Sequence, residues 1–151
     1  THAVAGPLLH LPPEEMTRQM DVNLTGQLRV TQAFAPLLGA EKGFTGKPGR
    51  IVNISSVAGF QATPILTPYA CSKFALEAFT EGLRREMMLY GIDVVAINPG
   101  PIKTPIWDKA DEMDIEPYAH CRPSGSRRRS TRRLLIKRRN STRSLSAKGF
   151  R

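Results

Sequence analysis

Two short apolar runs, Arg50-Ile51-Val52-Asn53-Ile54-Ser55 and Asp93-Val94-Val95-Ala96-Ile97, flank a long helical pattern. Each has the length of a strand and is apolar enough to be buried on both faces, as strands of a parallel sheet are. Between them, Tyr69 to Tyr90 puts Phe74, Leu76, Phe79, Leu83 and Met87 on an apolar face, while Glu77, Glu81, Arg84, Arg85 and Glu86 supply charge. Gly91 follows as a C-terminal cap. Parallel neighbours need a crossover, so this order predicts a βαβ unit.

A helix also precedes the first strand. Pro12, Pro13, Glu14 and Glu15 make a start signal, with acids in the first turn. Met16, Met20, Leu24 and Leu28 recur at helical spacing, and the two methionines are expected to pack in the core. The pattern continues through Val30 and Phe34 to about Leu38, where Gly39 is a stop. Residues 1–11 lack a period and read as a connection, and 42–49 as a polar, glycine-rich loop.

Chemistry enters at Pro68-Tyr69-Ala70-Cys71-Ser72-Lys73. Residues four apart lie on one helix face, about 5–6 Å apart at Cβ. An ammonium held that close stabilises a phenolate, which predicts a Tyr69 pKa below its usual value of about 10. Such a tyrosine can pass a proton near neutral pH. Taken alone, a Tyr-x-x-x-Lys pair is also common on helix surfaces that do no chemistry. Ser56, thirteen positions before Tyr69, stands at the carboxyl end of the first strand. In open α/β sheets, ligands bind at that end.

Four pieces agree in order and spacing: Asn23-Leu24-Thr25-Gly26, Asn53-Ile54-Ser55-Ser56, Tyr69-Ala70-Cys71-Ser72-Lys73 and Asn98-Pro99-Gly100-Pro101-Ile102-Lys103-Thr104. With them the chain resembles the classical short-chain dehydrogenase/reductase family, over residues 1 to about 119. The resemblance implies an α/β fold, a partial Rossmann-type doubly wound parallel sheet. It implies hydride transfer between NAD or NADP and a small alcohol or carbonyl substrate. Tyr69 would be the general acid or base. Lys73 would lower the Tyr69 pKa and bond the nicotinamide ribose. Ser56, favoured over Ser55 by its spacing, would hold the substrate oxygen. Asn23 would interrupt the helix hydrogen bonding and free a carbonyl for a water in the proton relay. Pro99, Gly100, Ile102 and Thr104 would meet the nicotinamide. Read without the family, the same prolines and glycine make a stiff turn. Val57, Ala58, Phe60, Ile65 and Leu66 would wall the substrate or serve as packing. Residues 107–118 would cover the substrate. The family often pairs two such helices across a two-fold axis, so the complete enzyme is expected to be a homodimer or homotetramer.

The family's phosphate-binding glycine turn does not occur in these 151 residues. Residues 1–121 are therefore expected to be a partial catalytic domain. By itself the chain is expected to bind neither cofactor and to lack activity. A truncated product or pseudoenzyme is the alternative.

Charge divides the chain. Residues 122–151 hold ten Arg, two Lys and no acid, whereas residues 1–121 hold 10 basic and 13 acidic residues. The basic tail has little to bury and is expected to be disordered. It reads as a nucleic-acid or anionic-surface tail, or as an alanine-rich helix read in the wrong frame. The abrupt break in composition favours the frame error, so nucleic acid is not the expected partner. Cys71 and Cys121 give neither a disulfide framework nor metal-ligand spacing, and no run has the length of a membrane span. A cytoplasmic setting fits, and no metal is expected.

Overall fold

The computed structural model describes residues 2–100. Pro101, Ile102 and Thr104, the segment 107–118, Cys121 and the arginine-rich 122–151 lie outside the described residues.

The expected βαβ unit is present. Strand β1 (Arg50–Ile54) runs parallel to β2 (Asp93–Ile97), in a register that sets Arg50 beside Asp93 and Ile54 beside Ile97. Their crossover contains helix α3 (Thr67–Met87), which begins with Pro68 in its first turn. Glu81 pairs with Arg84 and Arg85 on its outer face. The last turn tightens over Met88–Tyr90, and Gly91, at φ +68°, ends it in the left-handed conformation that favours glycine.

Leu83, Met87, Ile92 and Val94 form a buried core cluster, with Leu38, Ala40, Ile51 and Phe79 packed against it. Asn53 also points inward. Its Nδ2 donates to Thr80 Oγ1, and that hydroxyl donates to the Leu76 carbonyl. A buried amide left without partners would cost about 1–3 kcal/mol.

Three expectations are corrected. First, the strands are not buried on both faces. Val52, Ile54, Val95 and Ile97 are 40 to 53% exposed on the face away from α3. Alternate residues of a strand point to opposite faces, and among the described residues the helix cover lies on one of them. Second, Phe74 does not join the buried face of α3 and is exposed. It lies two residues before Leu76, roughly 160° around the helix. Third, the first helix is divided. Helix α1 (Pro13–Met20) passes through a π-helical turn (Asp21–Thr25) into α2 (Gly26–Leu38), which Gly39 ends at φ +117°. Met16, Met20 and Leu24 are half-buried and Leu28 is exposed, whereas Gln19 and Asn23 are buried. The π turn takes up an extra residue and shifts the helical phase. The inward face also meets the backbone of residues 2–4 and the Ser72 hydroxyl, polar groups that need hydrogen-bond partners.

Candidate active site

The carboxyl ends of β1 and β2 are joined beyond the strands themselves. Ser55 N donates to the Ile97 carbonyl at 2.8 Å, and Val57 N to the Pro99 carbonyl at 3.2 Å. The segment Ser55–Val57 is thus laid alongside Ile97–Pro99. Strand alternation separates the two serines. Ser55 is 4% exposed, and its buried Oγ has no hydrogen-bond partner among the described residues. Ser56 is half-buried, and its Oγ accepts from Ala58 N at 3.1 Å, capping the short turn Val57–Gly59.

Tyr69 and Lys73 come together on the first turns of α3, with Nζ 5.7 Å from the Tyr69 ring centroid. Lys73 is 2% exposed, and Nζ donates to the Ile54 carbonyl at 2.9 Å. The ammonium therefore ties the tyrosine's helix to the strand that ends in the serines. Burial disfavours the charged form and lowers the Lys73 pKa from its ordinary 10.5, while the negative charge of Glu77 opposes that shift.

Asn23 lies in the π turn, and its side chain is fully engaged. Its Oδ1 accepts from His2 N, and its Nδ2 donates to the His2 carbonyl and to Ser72 Oγ at 3.1 Å. Ser72 Oγ donates in turn to the Tyr69 carbonyl at 2.7 Å. Asn23 thus reaches the turn of α3 that carries Tyr69 and Lys73.

Three contributors escaped the sequence reading. Gln19 is fully buried. Its Nε2 donates to the His2 carbonyl and to Ser72 Oγ, and its Oε1 accepts from Val4 N. Its position four residues before Asn23, on the same helix face, was the available signal. Ser72 lay inside the Tyr69-to-Lys73 motif without an assigned role. The carboxylate of Glu77, read as surface charge, accepts from Asn98 Nδ2.

The donor set suits the ribose end of a nicotinamide nucleotide. A phenol and an ammonium stand beside the carboxyl ends of two parallel strands, and Pro99 and Gly100 follow one of them in the chain. A Cβ built on Gly100 would meet no described residue within 4 Å. Ile102 and Thr104 lie outside the described residues. Among the described residues, no group of three or more His, Cys, Asp or Glu could hold a metal ion.

A parallel α/β unit with polar and titratable side chains gathered at its strand ends is a Rossmann-type arrangement. The profile of the family described as short chain dehydrogenase matches residues 2–115, and the chain belongs to that family. Over 105 residues it is 49% identical to the NADPH-dependent 3-dehydrocapnine reductase of Ornithobacterium rhinotracheale, covering 70% of this chain and 37% of that protein. It is 43% identical over 106 residues to the 3-amino-tetrahydro-pyrrolizinone reductase of Xenorhabdus hominickii, covering 70% of this chain and 35% of the relative. The crystal structure of a gluconate 5-dehydrogenase from Burkholderia cenocepacia J2315, in complex with NADP and tartrate, superposes with a TM-score of 0.64 at 33% identity. That match covers 74% of this chain and 42% of the other. The chain thus spans between about a third and two-fifths of the length of these proteins.

Proposed function

We propose that residues 1–121 supply the proton-transfer segment of an NAD- or NADP-dependent oxidoreductase that interconverts an alcohol and a carbonyl compound. The observation that carries this reading is the buried Lys73 ammonium, held between the Tyr69 ring and the carboxyl end of β1. A lysine is rarely this buried without a role. The nicotinamide supplies hydride chemistry when bound, and Tyr69, Lys73, Pro99 and Gly100 would hold its ribose end, with Ile102 and Thr104 meeting the carboxamide. Tyr69 gives a proton to the substrate oxygen during reduction and takes it back during oxidation. Lys73 favours the phenolate by its charge. The Ser56 hydroxyl leaves its turn amide to hold the substrate oxygen and the charge that develops there. Asn23 keeps the π turn beside Ser72, so that a water on the freed helix carbonyl relays the proton to Lys73.

The same reading assigns residues 122–151 to a separate arginine-rich segment and the protein to the cytoplasm. Among the described residues no helix is long and apolar enough to cross a membrane. It also assigns the complete enzyme a two-fold assembly. Val30, Phe34 and Leu37 on α2 and Phe74 on α3 are exposed apolar side chains that a second copy would cover.

The deciding experiment is carbonyl reduction by a complete enzyme carrying this segment, followed at the nicotinamide absorbance. Tyr69→Phe keeps the ring and removes the transferable proton. Turnover is expected to fall by about 10²–10⁴-fold with cofactor affinity little changed. Near wild-type turnover in that variant would sink the assignment.

A further inference from the structure

Glu77 lies where three pieces of the site meet. It stands one helical turn beyond Lys73 on α3. Its Oε1 accepts from Asn98 Nδ2, and the same nitrogen reaches the Ser56 carbonyl at 3.4 Å. From the other side, the turn after Ser56 presses against it. A Cβ built on Gly59 would stand 2.9 Å from Glu77 Cγ, 3.2 Å from Glu77 Oε1 and 3.2 Å from the Lys73 carbonyl. Gly59 is buried with φ in the ordinary range, so this position needs glycine for the close approach.

From these contacts we propose that Glu77 is a positioning residue. Through Asn98, and against Gly59, its carboxylate fixes the Ser56–Gly59 turn relative to the helix face that carries Tyr69 and Lys73. This rests on the reading of those three side chains as the proton-transfer group. The backbone bonds Ser55 N to Ile97 O and Val57 N to Pro99 O tie the serine segment to β2. Glu77 adds the tie to α3, because the acceptor lies on the helix while the donor, Asn98, directly follows β2. A carboxylate is suited to the task, since a hydrogen bond to an ionised acceptor is about twice as strong as a neutral one. The charge has a second effect on the same helix. Lys73 Nζ meets the Tyr69 ring and the Ile54 carbonyl, and the negative charge of Glu77 offsets part of what burial costs the ammonium.

The test joins amide hydrogen exchange with kinetics. Glu77→Leu keeps bulk and loses the acceptor, whereas Glu77→Gln keeps an acceptor oxygen. In the full chain, Glu77→Leu is expected to speed exchange of the Gly59, Phe60 and Gln61 amides, which bond Ser56 O and Val57 O, by about tenfold or more relative to amides within α3. Glu77→Gln should stay within about threefold of wild type. Gly59→Ala attacks the same contact from the other side and should also loosen the turn. In a complete enzyme Glu77→Leu should lower kcat by about tenfold or more while leaving the cofactor KM within about twofold, and Glu77→Gln should restore most of the loss. Unchanged exchange at residues 59–61 in both Glu77→Leu and Gly59→Ala would overturn the proposal. So would a Glu77→Gln variant as impaired as Glu77→Leu. Exchange involves no chemistry, so failure of the catalytic reading shows separately, as unchanged turnover in Ser56→Ala.

Discussion

Lys73 Nζ donates to the Ile54 carbonyl at 2.9 Å, so the helix bearing the tyrosine and the strand bearing the serines meet at one buried ammonium group. Burial lowers its pKa from 10.5, against a smaller opposing pull from Glu77. Between the folded value and 10.5 the native state binds fewer protons than the unfolded chain, so this group's contribution to stability rises with pH across that window. Below the folded pKa the burial penalty is fully present. Lys73→Met removes the titration. Urea denaturation of both forms from neutral pH upward should show wild type gaining on the variant as pH approaches 10.5. A difference that stays constant over that range would mean Lys73 does not titrate as its burial requires.

The two serines give opposite expectations for activity. Ser56 is half-buried beside the turn, whereas Ser55 is buried with its hydroxyl unpartnered among the described residues. In a complete enzyme, Ser56→Ala should lower kcat/KM by about 10²-fold or more, as loss of a donor to a developing oxyanion does. Ser55→Ala removes an oxygen without a hydrogen-bond partner among the described residues and should stay within about tenfold of wild type. The reverse order would transfer the substrate contact to Ser55.

Gln19 is a stability prediction rather than a catalytic one. Its amide bonds Val4 N, the His2 carbonyl and Ser72 Oγ from a fully buried position. Gln19→Leu keeps most of the volume and orphans backbone groups of the 2–4 segment. A loss of about 1–3 kcal/mol is expected in denaturant titration, and Gln19→Glu should also destabilise by burying a charge. A neutral Gln19→Leu would show that these bonds give no net stability.

The proposed assembly rests on exposed apolar surface. Light scattering of the complete enzyme at micromolar concentration should give a dimer or tetramer mass, and Phe34→Glu with Val30→Lys should shift it toward monomer. A monomeric wild type would leave the α2 stripe without the proposed partner.

The sequence by itself determined the βαβ unit, because strand and helix differ in local period and because Pro68 and Gly91 mark the ends of the helix through their own backbone preferences. It also placed Tyr69 and Lys73 on one helix face, since four residues make about one turn. What it could not determine is which side of each element meets which neighbour. The alternating faces of β1 and β2 carry similar apolar residues, and only the packing of α3 decides that Val94 is buried while Val52 and Ile54 are exposed. The methionines of α1 promised a core, but the inward side of this helix holds Gln19 and Asn23, which bond the backbone of residues 2–4. The link from Glu77 to Asn98 joins residues 21 apart in the chain and has no local signal. Periodicity reports torsional preference and local amphipathicity. A long-range hydrogen bond exists only after loops close and bring two buried polar groups together, so the tertiary structure decides it.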